Sequence, residues 1–104
     1  MIQQFTLNEK IAIVSILSQI MYADGIIHPK EDEYMDKVYE ELGLTINDID
    51  SITNMDIIQA YNILNEMAQE KREYAHSLFV SMAESDGYVH PKEMDVIDKV
   101  FRTT

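Results

Sequence analysis

The sequence predicts an all-α domain, and three features carry that expectation. Apolar residues recur at intervals of three and four rather than two. The periodic segments open on capping residues or Pro and close on Gly, and no stretch of useful length alternates as a strand would. One phrase also occurs twice, 62 residues apart: ADGIIHPKE at 23–31 and SDGYVHPKE at 85–93. Side by side, Gly, His and Pro suit neither a helix interior nor a strand, so both copies read as corners between helices.

Thr6 and Glu9 have the spacing of a capping box, in which each side chain satisfies a backbone N–H at the helix start. Beyond it, Leu7, Ile11, Val14, Leu17 and Met21 form one stripe, and Ile13, Ile16 and Ile20 a second. A helix apolar on nearly all sides belongs at the centre of a bundle. Asp24-Gly25 is expected to end it. Pro29 fits the first turn of a second helix running to about Leu42, with Met35, Val38, Tyr39 and Leu42 inward and Gly43 as its stop. Thr45 with Asp48 suggests a short helix near 46–52. Asn54 is read as the cap of the next, which carries Ile57, Ile58, Tyr61 and Leu64. A break near Met67–Ala68 precedes a long helix to about Glu84, with Ala75, Leu78, Phe79, Met82 and Ala83 inside. Pro91 opens the last helix, whose inner residues are Met94, Ile97, Val100 and Phe101.

The repeat reaches beyond the corner. At the same offset Ile13 pairs with Ala75, Ile16 with Leu78, Leu17 with Phe79 and Ile20 with Met82, while Asp36, Lys37 and Val38 match Asp98, Lys99 and Val100. The expected architecture is one domain over residues 1–104: a compact bundle of about six helices built from two pseudo-symmetric helix–corner–helix repeats. Residues 7–42 and 69–102 form the halves, and short helices in 46–66 link them.

Composition narrows the function. Nineteen acidic against eight basic residues leave a formal charge of -11, so nucleic acid is not expected as a partner. The densest apolar run, IAIVSIL, is too short to span a bilayer, and the first residues lack the pattern of a signal peptide. With no cysteine there is neither a disulfide framework nor a thiolate metal site. The expectation is a cytoplasmic protein without membrane insertion. The sequence leaves its oligomeric state open.

The polar residues of the corners admit two readings. With His28 at the N-cap and Pro29 at the first helical position, Glu31 could serve as a capping carboxylate at the positive end of the helix dipole, and Asp24 could fold onto a backbone N–H of the turn. Alternatively, Asp24, Glu31, Asp86 and Glu93 bind divalent cations, with His28 and His90 as further donors, in one site shared by the corners or in two. Carboxylates alone would favour calcium, magnesium or manganese, and participation of a histidine would shift the preference toward zinc or another transition metal. The second half of an EF-hand loop is present, since Gly25 at position 6 puts Asp24 at 5, His28 at 9 and Glu31 at 12. Positions 1 and 3 would be Ile20 and Tyr22, and in the second copy Met82 and Glu84. A true EF-hand is therefore excluded.

Two copies of A-D-G-x-[IV]-x-x-x-E in an all-helical chain, with Ser85 replacing the first Ala of the second copy, resemble the TerB-like family of tellurite-resistance and DjlA-type helical domains. The likeness spans roughly residues 6 to 102. It implies a compact helical bundle of two related halves, a metal-binding or metal-stress role and no enzymatic activity. Carried over by position, it points to Asp24, Glu31, Asp86 and Glu93, whereas His28 and His90 fall outside the general pattern.

No catalytic residues are assigned. The chain has no cysteine nucleophile, no glycine-rich phosphate loop and no Ser in a nucleophile-elbow context. The leading expectation is a non-enzymatic cytoplasmic module binding divalent metal through acidic corners. The alternative is a metal-free module that meets a protein partner through an acidic helical surface, with Tyr22, Tyr34, Tyr39 or Tyr88 as contacts.

Overall fold

A computed structural model describes residues 5–23, 25, 28–85, 87 and 91–101, without the side chains at 46, 49, 51 and 101. The first helix, α1 (Leu7–Met21), starts at the predicted capping box. The Thr6 N–H donates to Glu9 Oε1 at 2.8 Å and the Glu9 N–H donates to Thr6 Oγ1 at 3.2 Å. Lys71 Nζ donates to the same Glu9 oxygen at 2.9 Å and so ties the cap to a distant helix. From Ile11 to Leu17 every residue of α1 is buried, as are Ile20 and Met21. Each fully buried aliphatic side chain contributes about 1.5–3 kcal/mol, so α1 is the largest single block of the core. Ser15 is accommodated there by donating its hydroxyl to the Ile52 carbonyl at 3.4 Å.

The remaining helices are α2 (Pro29–Leu42), α3 (Ile49–Asn54), α4 (Ile57–Glu66), α5 (Gln69–Glu84) and α6 (Pro91–Phe101), with a 3-10 turn at Ile46–Asp48 before α3. No strand occurs among the described residues. All five pack against α1, which is central as its two apolar stripes predict. The Cα radius of gyration is 12.6 Å, close to the roughly 13 Å expected of a domain this long. Asn65 ties α4 to the end of α6, its side-chain amide donating to the Tyr61 carbonyl at 2.8 Å and to the Val100 carbonyl at 2.7 Å.

Predicted stops and starts hold at most junctions. Pro29 and Pro91 open α2 and α6, and Gly43 caps α2 at φ 71°, with the Leu44 N–H reaching back to the Tyr39 carbonyl at 2.9 Å. The break at Met67–Ala68 separates α4 from α5. Thr45 and Asp48 do start a short segment, through a 2.8 Å bond from the Thr45 N–H to Asp48 Oδ2. That segment continues as α3 through Asn54, and the N-cap of α4 is Asp56 rather than Asn54. Leu7, in the first apolar stripe of α1, and Ile58, among the apolar residues of α4, are 55% and 58% exposed, because the first turns of α1 and α4 turn that side to solvent.

The 62-residue repeat extends to burial and hydrogen bonding. Ile13 and Ala75, Ile16 and Leu78, Leu17 and Phe79, Ile20 and Met82 are buried in pairs, as are Met35 with Ile97 and Val38 with Val100. The corners are bonded alike. Ala23 and Ser85 each donate a backbone N–H to the carbonyl three residues back at 3.2 Å, and Gly25 and Gly87 do the same at 3.0 Å. Both glycines have left-handed backbones, φ 77° and 83°, where a side chain would be strained.

Candidate metal centre

The corner residues set the site's geometry. Pro29 restricts the preceding residue to an extended backbone, and His28 adopts φ -95° and ψ 128° as the N-cap of α2. The His28 carbonyl accepts from the N–H groups of Glu31 and Asp32, at 3.0 and 3.1 Å, which begins the helix. Its imidazole makes no helix-cap hydrogen bond. Three residues apart at a helix start, His28 and Glu31 lie on one face. In α6, Glu93 stands two residues after Pro91, the same distance that separates Glu31 from Pro29.

Glu31 and Glu93 are both 0% exposed. They are the two fully buried charged side chains among the described residues, and a buried carboxylate is costly unless an opposite charge or hydrogen bonds compensate it. They belong to different halves of the repeat, yet they converge. One imidazole nitrogen of His28 and one carboxylate oxygen from each of Glu31 and Glu93 all lie within 4.8 Å of one another. A single ion bonded at about 2.0–2.4 Å to each atom would fit between donors so spaced.

The sequence is compatible with one site shared by the corners or with two, and this pairing runs across the repeat. Of the six predicted positions, the structure brings together His28, Glu31 and Glu93, while Asp24, Asp86 and His90 lie outside the described residues. The signal that could have linked the two glutamates was their identical place after Pro in both copies. Ile20 and Met82, at the first position of the hypothetical EF-hand loops, are helical and fully buried, in keeping with the exclusion of that motif.

The tyrosines divide. Tyr22 is 52% exposed, whereas Tyr34 and Tyr39 are half-buried against the core and Tyr88 lies outside the described residues. Burial pushes the Tyr34 and Tyr39 hydroxyls above their ordinary pKa, which marks them as packing residues at the core margin.

Comparison with known proteins agrees with this architecture. The crystal structure of a protein of unknown function from Porphyromonas gingivalis W83 shares the fold, with a TM-score of 0.77 and 23% identity over 95% of this chain and 84% of that one. No curated protein matches the sequence. The sequence model of the tellurite resistance protein TerB family matches residues 1–54, which carry α1, the first corner and α2. By that match, together with the fold, the chain belongs to the TerB family.

Proposed function

We propose that this TerB domain is a non-enzymatic, cytoplasmic module that binds one divalent cation between its two corners, with His28, Glu31 and Glu93 as ligands and Asp24 and Asp86 as additional donors. One observation carries the reading: two fully buried glutamates from opposite halves of the repeat come within 4.8 Å of each other and of an imidazole. A divalent cation offsets both charges at once and cross-links α2 to α6. In this reading the two halves are related by an approximate two-fold rotation, with the cation near its axis. No described helix is long and apolar enough to cross a membrane.

The test is stoichiometry. Titration of metal-free protein, followed by calorimetry, is expected to give one cation per chain. Either Glu31→Gln or Glu93→Gln alone should remove it. Two cations per chain, each lost with one substitution, would mean separate corner sites and refute the shared one.

A second reading draws on a different surface. Asp32, Glu33, Asp36, Glu40 and Glu41 of α2 are all exposed, an acidic face suited to a basic protein partner. Charge reversal there, with the buried glutamates intact, would weaken such a partner without altering cation binding.

A further inference from the structure

The placement of His28 narrows the class of cation, an inference that rests on the metal-binding reading above. Calcium takes six to eight oxygen ligands, and magnesium keeps several of its waters. Imidazole is a donor for the borderline first-row ions, zinc foremost among the redox-inert ones. Here a nitrogen donor stands with the two carboxylates in the same cluster, inside 4.8 Å. Both carboxylates are fully buried, which leaves little room on that side for the hydration shell magnesium retains.

The backbone fixes where this side chain starts. Pro29 holds His28 extended, and the His28 carbonyl is engaged by two N–H groups of α2, so the side chain is attached to a well-held helix start. The ring is half-buried, enough to limit its motion while leaving a path for an ion to enter. The rest of the chain offers no competing thiolate, since it has no cysteine.

We propose that the site is selective for a borderline transition ion of the zinc type, bound through one imidazole and two carboxylates, over calcium and magnesium. The selectivity resides in His28, and the affinity common to all divalent ions resides in Glu31 and Glu93.

The experiment titrates the metal-free full chain with zinc, cobalt(II), calcium and magnesium, for wild type, His28→Gln, Glu31→Gln and Glu93→Gln. Circular dichroism confirms the helix content of each variant. Zinc is expected to bind at least about 100-fold more tightly than calcium or magnesium, and cobalt(II) to develop visible absorption on binding. His28→Gln should weaken zinc by about 10-fold or more, the least that losing even an outer-shell partner costs. It should leave calcium and magnesium within about two-fold and should change the cobalt spectrum. Either glutamate variant should abolish zinc binding, which distinguishes the site from chance capture by surface histidines. Calcium or magnesium binding as tightly as zinc, or zinc binding unchanged in His28→Gln but lost in Glu31→Gln, would overturn the selectivity while leaving the cation site standing. If none of the four ions bound, the selectivity and the cation site would both fall.

Discussion

Replacing Glu93 with Gln separates the ligand from the helix cap by the sign of its effect. In the metal-free protein the Glu31 and Glu93 carboxylates face each other at no more than 4.8 Å. Two unit charges at that distance repel by about 3.5 kcal/mol at an effective dielectric near 20, less whatever the neighbouring His28 compensates. Against this stands about 0.3–1 kcal/mol lost from the interaction of the Glu93 charge with the α6 dipole. Glu93→Gln should therefore raise the melting temperature in chelator. With cation at about 100 times its dissociation constant, the wild type should gain about 2.7 kcal/mol, or roughly 10–20 °C for a domain of this size. The mutant should gain almost nothing, so the two melting curves exchange order on adding metal. The assay is thermal denaturation followed by circular dichroism, in chelator and in saturating zinc. A mutant that melts below the wild type in both conditions, with a wild type indifferent to metal, would refute the argument and leave Glu93 as a cap.

Further outcomes follow from the core, the N-terminal cap and one tyrosine. Leu17→Ala, at a position with no exposure in the middle of α1, should destabilise by about 2–5 kcal/mol in urea denaturation. Thr6→Ala removes the capping box and should cost about 1 kcal/mol in the same measurement. Burial alone would raise the pKa of Glu9, but hydrogen bonds from Lys71 and Thr6 outweigh it and hold the carboxyl below its ordinary value. Its contribution to stability is therefore complete above the unfolded value near 4.5 and lost as pH falls through the lower folded value, so Lys71→Met should flatten stability against pH in that acid range. Burial, with the 2.9 Å bond from the Tyr74 hydroxyl to Glu41, pushes the Tyr74 pKa up to about 12. In an ultraviolet titration of the folded protein Tyr74 should therefore ionise late, and Tyr74→Phe should remove that late component.

Much of the fold was legible because its punctuation is local. Thr6 with Glu9, Pro29, Gly43, Pro91 and the corner glycines each act through their own backbone or the next turn, and each acts where the sequence places it. Asn54 misled because Asn and Asp are both good N-caps. The choice between Asn54 and Asp56 depended on how far α3 ran, which tertiary packing decides. Leu7 and Ile58 misled for a related reason: periodicity finds a stripe, but not which end of it the neighbouring helices reach. The candidate site was half legible. Glu31 and Glu93 stand out by repetition, but nothing local says that two glutamates 62 residues apart share one buried space. That meeting follows from packing α2 of the first half and α6 of the second against the same α1.

The central position of α1 also has a cost during synthesis. The helix that contacts all the others is the first to be made, and its residues on nearly every side need partners that come later. Between the addition of Met21 and that of Phe101 the ribosome must add 80 residues, which takes roughly 4–16 s at about 5–20 residues per second. For those seconds a helix rich in Ile and Leu has no completed core to enter. The nascent chain should therefore be a client for holding chaperones that bind exposed apolar segments, and its yield should fall when α5 and α6 are translated slowly.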